Sequence, residues 1–163
     1  MPHSLTCIWI HAISRTKFRD SLIQPEFELR LHAHIRMQLE EDLGCRVRAI
    51  NGTSDHLHIL FLLNPNHAVK DILKNVKGES SHWVNQENIA KRKFAWQTGY
   101  AAYSVRESDL SVIKKYILNQ KEHHRKKSFF EEWEHIAMEH GLQVLPETVE
   151  TVSDSSPGSI AHD

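Results

Sequence analysis

Two short segments carry residue types whose spacing suits phosphodiester chemistry. In His56-Leu57-His58 the imidazoles stand at i and i+2. On a strand those positions project from one face, about 6–7 Å apart, so two ring nitrogens can converge on one divalent ion. Composition weakens the signal: with 13 histidines in 163 residues, about one such pair is expected by chance, and a second, His32-Ala33-His34, is present. That second pair falls in a helical pattern, where i and i+2 lie about 200° apart and do not converge. Taken alone, His56 and His58 read equally as metal ligands or as ordinary surface or core histidines. The other segment is Tyr116-Ile117-Leu118-Asn119-Gln120. On a helix Tyr116 and Gln120, at i and i+4, share a face, and His124 continues it. A glutamine amide oxygen is a hard ligand of the kind Mg²⁺ and Mn²⁺ take. A phenol beside such an ion can attack a phosphodiester. The same segment alone also fits an amphipathic helix with a packed tyrosine and a solvated glutamine.

The elements that must hold these groups follow from periodicity. Residues 5–13 read as a buried strand. Pro25 opens a helix in which Phe27, Leu31, Ile35 and Leu39 recur every fourth position, and Gly44 ends it. Residues 45–51 alternate, residues 52–55 form a turn, and residues 56–63 make the strongest strand. Asn66 is the expected cap of a second helix with Val69, Ile72, Leu73 and Val76 as its apolar stripe. A fourth strand covers 99–106. A helix then begins at Ser108 and Asp109 and runs through Tyr116 and Gln120, and a last helix covers roughly 128–140. The order β-α-β-β-α-β predicts an α+β fold: a ferredoxin-like, split-βαβ antiparallel sheet with right-handed crossover helices on one face. Leu57, Ile59, Phe61 and Leu63 would pack on those helices. His56, His58, Leu60 and Leu62 would face a second layer, for which the Tyr116 helix or a partner subunit is the candidate.

Length suits one domain, expected over residues 1–143, with a polar acidic tail over 144–163 expected to be disordered. The N-terminus lacks a basic region before its apolar stretch, and no apolar run approaches the roughly 20 residues of a bilayer span. Cys7 and Cys45 form no CxxC pair, as in an intracellular protein with inert thiols. Net charge is −1, but no Lys or Arg follows Gln143, so residues 1–143 hold 20 basic against 17 acidic groups. Lys70, Lys74 and Lys77 recur at helical spacing, and Arg125, Lys126 and Lys127 follow the Tyr116 helix. They are candidates for phosphate contacts, with a solvated charged face as the equal alternative. Trp83 is a base-stacking candidate, though a buried indole is the more usual role. His123 and His124 either orient neighbouring groups or face water.

DHLHILFLL, KGESSHW, GYAAYSVRES and YILNQKEHHRKKSFFEEW, in this order, resemble the single-tyrosine HUH transposases of small bacterial insertion sequences. Relatives associated with repetitive extragenic palindromes share these motifs, and the resemblance covers nearly all of residues 1–141. It implies that Tyr116 is the nucleophile and that His56, His58 and Gln120 bind Mg²⁺ or Mn²⁺. It also implies single-stranded DNA with hairpins as substrate, a 5′-phosphotyrosine intermediate, a homodimer in which one subunit's tyrosine helix meets the other's histidine pair, and a cytoplasmic, nucleoid-associated protein. The near-neutral charge, and Glu79 inside KGESSHW, depart from what a DNA surface favours. The alternatives are a domesticated nuclease acting on genomic palindromes, an HUH nickase of plasmid replication or conjugation, and a non-catalytic ferredoxin-like nucleic-acid-binding module. The short chain disfavours the nickase, and flanking DNA would separate the domesticated relative from a mobile one.

Overall fold

A computed structural model describes residues 4–122, and its first compact unit ends at Gln120. The expected 128–140 helix, the tail, Arg125, Lys126, Lys127, His123 and His124 lie outside the described residues. Four strands form one sheet: β1 (Trp9–Arg15), β2 (Arg46–Gly52), β3 (His56–Leu62) and β4 (Ala101–Val105), in the order β2-β3-β1-β4. Every neighbouring pair is antiparallel. Helix α1 (Pro25–Met37) connects β1 to β2, and α2 (Val69–Gln86) connects β3 to β4. This is the ferredoxin-like α+β arrangement, with α3 (Leu110–Leu118) added after the last strand.

Helix α1 starts at Pro25, with Glu26 and Glu28 in its first turn, where the missing proline N–H costs nothing and the carboxylates favour the helix dipole. It passes into a π-helical turn at Gln38–Asp42 and ends at Gly44, whose φ of +65° suits glycine. The expected every-fourth-residue stripe is the buried one: Phe27, Leu31, Ile35 and Leu39 are at most 2% exposed. Together with Ile72, Leu73 and Val76 of α2 they meet Leu57, Ile59 and Phe61 of β3 in the main core. Each such side chain, fully buried, contributes about 1.5–3 kcal/mol.

The opposite sheet face carries a second, smaller core of Ala49, Leu60, Val105, Leu110, Ile113 and Ile117. Here α3 of the same chain packs across β2 and β3. It supplies the cover that Leu60 needs, while Leu62 stays half-buried.

Several boundaries differ from the sequence expectation. β1 begins at Trp9 and runs to Arg15, because the segment before it lacks a face to bury: Leu5 is 100% exposed and Ile8 42%. Asn66 does not cap α2; Ala68 holds that position, and the backbone N–H of Asn66 is instead satisfied by the side chain of Asn64. The helix expected to run unbroken through Gln120 stops at Leu118. Asn51 of β2 causes the break: its side-chain N–H₂ donates to the carbonyls of Ile117 and Leu118, both at 3.1 Å, which an unbroken helix would use itself. Asn51 reaches them because β2 is bulged between Val47 and Ala49. The pairing shifts from Val47–Phe61 to Ala49–Leu60, which places Asn51 opposite His58.

Candidate active site

The β2–β3 hairpin brings the first groups into place. Gly52 packs against the strand that follows, and a Cβ there would lie 2.1 Å from the His56 carbonyl oxygen, so only glycine closes this turn. Beyond it, Asp55 Oδ1 accepts the Thr53 hydroxyl at 2.9 Å and lies 2.7 Å from His56 Nδ1. The tautomer that the carboxylate favours carries its proton on Nδ1 and turns the Nε2 lone pair toward Gln120. Gln120 is fully buried, with Oε1 3.2 Å from His56 Nε2 and Nε2 donating to the Tyr116 carbonyl at 3.4 Å.

An imidazole lone pair and an amide oxygen therefore face each other. Two acceptors at that separation require a proton or a cation between them. In octahedral coordination at about 2.1 Å, neighbouring ligands stand about 3.0 Å apart, close to the observed 3.2 Å. His58, also fully buried, lies on the same side, its ring 5.2 Å from that of His56. Among the described residues no group of three or more His, Cys, Asp and Glu gathers to hold a metal. Two imidazoles and an amide oxygen are nevertheless a donor set that a hard divalent ion accepts.

Tyr116 comes from α3 and is half-buried. Its ring meets that of His58 edge-on at 5.8 Å and that of His11 at 6.3 Å. Sequence reasoning did not single out His11. It is fully buried on β1, with Nε2 2.9 Å from His58 Nδ1. That contact orients the His58 ring and engages one of its nitrogens. Tyr103, opposite His11 in the sheet, flanks it at 6.5 Å, and burial pushes the Tyr103 phenol up to about 12. Arg15, opposite His56, is 9% exposed and adds positive charge at the edge of the site. Burial and Arg19 pull its guanidinium below its ordinary value, and Asp55 opposes them. The only sequence signal for His11 and Arg15 was period two along β1, which marks a face and not a role.

The other candidates fall elsewhere. Lys70 and Lys74 are exposed on α2. The Lys77 ammonium is turned into the protein, onto the carbonyls of Gln97 and Gly99, and burial lowers it to about 8. Trp83 is half-buried, and His34 stacks on its ring at 4.1 Å. Glu79 lies 2.6 Å from His34 Nε2, so this carboxylate, unexpected for a DNA surface, has a local partner. His32 and His34 do not converge: His32 faces Glu28 while His34 lies on Trp83 and Glu79.

A phenol beside a buried histidine pair, on a ferredoxin-like sheet, defines a candidate site for phosphodiester transfer, and comparison with known proteins places the chain among transposases. Residues 4–120 match the model of the IS200-like transposase family, and the chain belongs to that family. The ISDra2 transposase TnpA of Deinococcus radiodurans is 26% identical over 115 residues, which cover 68% of this chain and 81% of that protein. A crystal structure of a transposase from the same organism superposes with a TM-score of 0.58 at 24% identity, covering 74% of this chain and 95% of that one. A REP-associated tyrosine transposase bound to a REP hairpin gives 0.56 at 15% identity, covering 88% and 89%. No helix among the described residues is long and apolar enough to cross a membrane.

Proposed function

We propose that this chain cuts and rejoins single-stranded DNA at hairpin-bearing ends, with Tyr116 as nucleophile and His56, His58 and Gln120 as ligands of Mg²⁺ or Mn²⁺. The observation that carries the reading is the meeting of two distant segments: Gln120 lies against His56, 64 positions earlier in the chain, and Tyr116 lies against His58. The ISDra2 transposase supports strand transfer, and the neighbour bound to a REP hairpin supports a hairpin substrate. A homodimer is part of the proposal, although within one chain α3 already carries Tyr116 to the histidines.

The Tyr116 oxygen attacks a DNA phosphorus, and the bond to the 3′ oxygen breaks. That oxygen leaves with a proton as a free 3′-OH, while the 5′ phosphate stays on the tyrosine. The new ester conserves the energy of the old one, so a second 3′-OH reverses the step and releases Tyr116 without a nucleotide cofactor. A divalent ion, when bound, polarises the phosphoryl oxygen and balances its developing charge. Asp55 holds the proton on the far nitrogen of His56. His11 Nε2, against His58 Nδ1, orients the His58 ring. Arg15 adds positive charge where the phosphate would lie. The buried setting strengthens each of these interactions.

The test is incubation of labelled single strands from the DNA flanking the gene with protein and Mn²⁺. The expected product is a denaturant-resistant adduct that mass spectrometry maps to Tyr116 and that EDTA prevents. In Tyr116→Phe the adduct should vanish, cleavage falling at least about a thousandfold, while hairpin binding persists. Cleavage at the wild-type rate in that variant would overturn the assignment.

A further inference from the structure

At the end of β1 the chain makes an unusual turn. Thr16 closes the strand, its N–H donating to the Asp55 carbonyl at 2.8 Å. Phe18 and Arg19 then follow with φ of 61° and 57°. Two successive non-glycine residues in the left-handed region are strained, and such strain persists only where the surroundings enforce it. They do so here: the Thr16 hydroxyl also donates to the Asp20 carbonyl at 2.6 Å, Lys17 N–H to Ala95 at 2.9 Å and Phe18 N–H to Gln97 Oε1 at 3.4 Å. The outcome is a phenyl ring 59% exposed. It borders a cleft of about 290 Å³ lined by Lys17, Phe18, Asp20, Leu22, Arg92, Lys93 and Ala95. The Lys17 ammonium stands 5.5 Å from the centre of the Phe18 ring, and Arg92 approaches Asp20 at 3.6 Å. Three cations against one carboxylate leave the lining net positive.

We propose that this cleft is a single-stranded DNA subsite beside the catalytic centre, in which a base stacks on Phe18 and Lys17, Arg92 and Lys93 neutralise its phosphates. The proposal rests on the strand-transfer reading above, because the same Asp55 that orients His56 through its side chain fixes the turn through its carbonyl. Arg15, which pairs with His56 across the sheet, lies two residues before Lys17 of the cleft. An open cleft with one aromatic platform and surrounding cations suits an unpaired nucleotide, whose base offers a π-face and whose backbone is anionic. A duplex hides its base faces, and the net positive lining suits a polyanion.

Binding is measured by fluorescence anisotropy in the Tyr116→Phe background, which separates it from cleavage. The probes are a hairpin alone and the same hairpin with unpaired extensions on both sides. Phe18→Ala should weaken the extended probe roughly tenfold and leave the bare hairpin unchanged, and Phe18→Tyr should restore wild-type affinity. Arg92→Gln and Lys93→Gln should each lower the salt dependence of extended-probe binding by about 0.7 in log–log slope. Equal affinity of all these variants for the extended probe, or equal losses on both probes, would overturn the subsite. The strand-transfer reading fails separately, through absence of the covalent adduct in protein that retains Tyr116.

Discussion

The two faces of the sheet are built from the same strands and obey different rules. The face toward α1 and α2 buries Leu57, Ile59 and Phe61 among apolar side chains. Its stability follows from area and fit. The face toward α3 buries His11, His56, His58 and Gln120 completely beside a modest apolar cluster. Burying polar groups is unfavourable unless they find partners, and here the partners come from four separate stretches: His11, Thr53 with Asp55, the histidine pair, and Gln120. One face is robust and chemically inert. The other gives up packing for a set of convergent donors and acceptors.

The sharpest challenge to that contrast replaces one large residue on each side. Phe61→Ala should cost about 3–5 kcal/mol in urea denaturation and leave Mn²⁺ affinity of the folded protein unchanged. His58→Ala should cost less, about 1–3 kcal/mol, and abolish Mn²⁺ binding by calorimetric titration. Similar losses of affinity in both variants would show that the faces are not independent. His11 sharpens the division, because it acts through His58. His11→Leu should weaken Mn²⁺ binding about 10–100-fold, and His11→Gln, whose amide can still meet His58 Nδ1, should recover much of it. A purely packing role would reverse that order. Asn51→Ala removes the two hydrogen bonds that end α3. It should destabilise the protein by about 1 kcal/mol, with a larger proportional loss of cleavage as Gln120 and Tyr116 lose their relative placement.

The smallest effect concerns Tyr103. Its phenol is raised in the folded state, to about 12, so the native protein binds more protons than the unfolded chain above pH 10. Stability is then fully present below pH 10 and is lost as pH rises toward 12. Tyr103→Phe should flatten that decline in thermal melts. An unchanged decline would place the titrating group elsewhere.

Much of the first face was legible in the residues. The every-fourth-residue stripe of α1 and the alternation of β3 each report a local period matched to one buried surface, and both elements lie where those periods put them. The site was legible in part. The spacing of His56 and His58 placed both rings on one side, but chance histidine pairs carry the same spacing. His34 shows as much, since its neighbours are Trp83 and Glu79 and not a ligand set. Lys77 was read as a surface cation and is turned onto backbone carbonyls instead, because nothing in helical spacing reveals which loop will fold over a side chain. The expected start of β1 erred for a related reason: strand-favouring residues at 5–8 have no layer to bury against.

The sequence by itself determined the elements, their order and the residue types available for chemistry, because secondary-structure period and side-chain reactivity are properties of short stretches. Only the tertiary structure decided how those residues meet. The bulge between Val47 and Ala49 turns Asn51 to the face covered by α3, Asn51 ends α3 one residue before Asn119, and Gln120 thereby reaches His56 from a separate helical segment. Each step depends on hydrogen bonds between residues far apart in the chain, and those are set by packing across the sheet and not by any local preference.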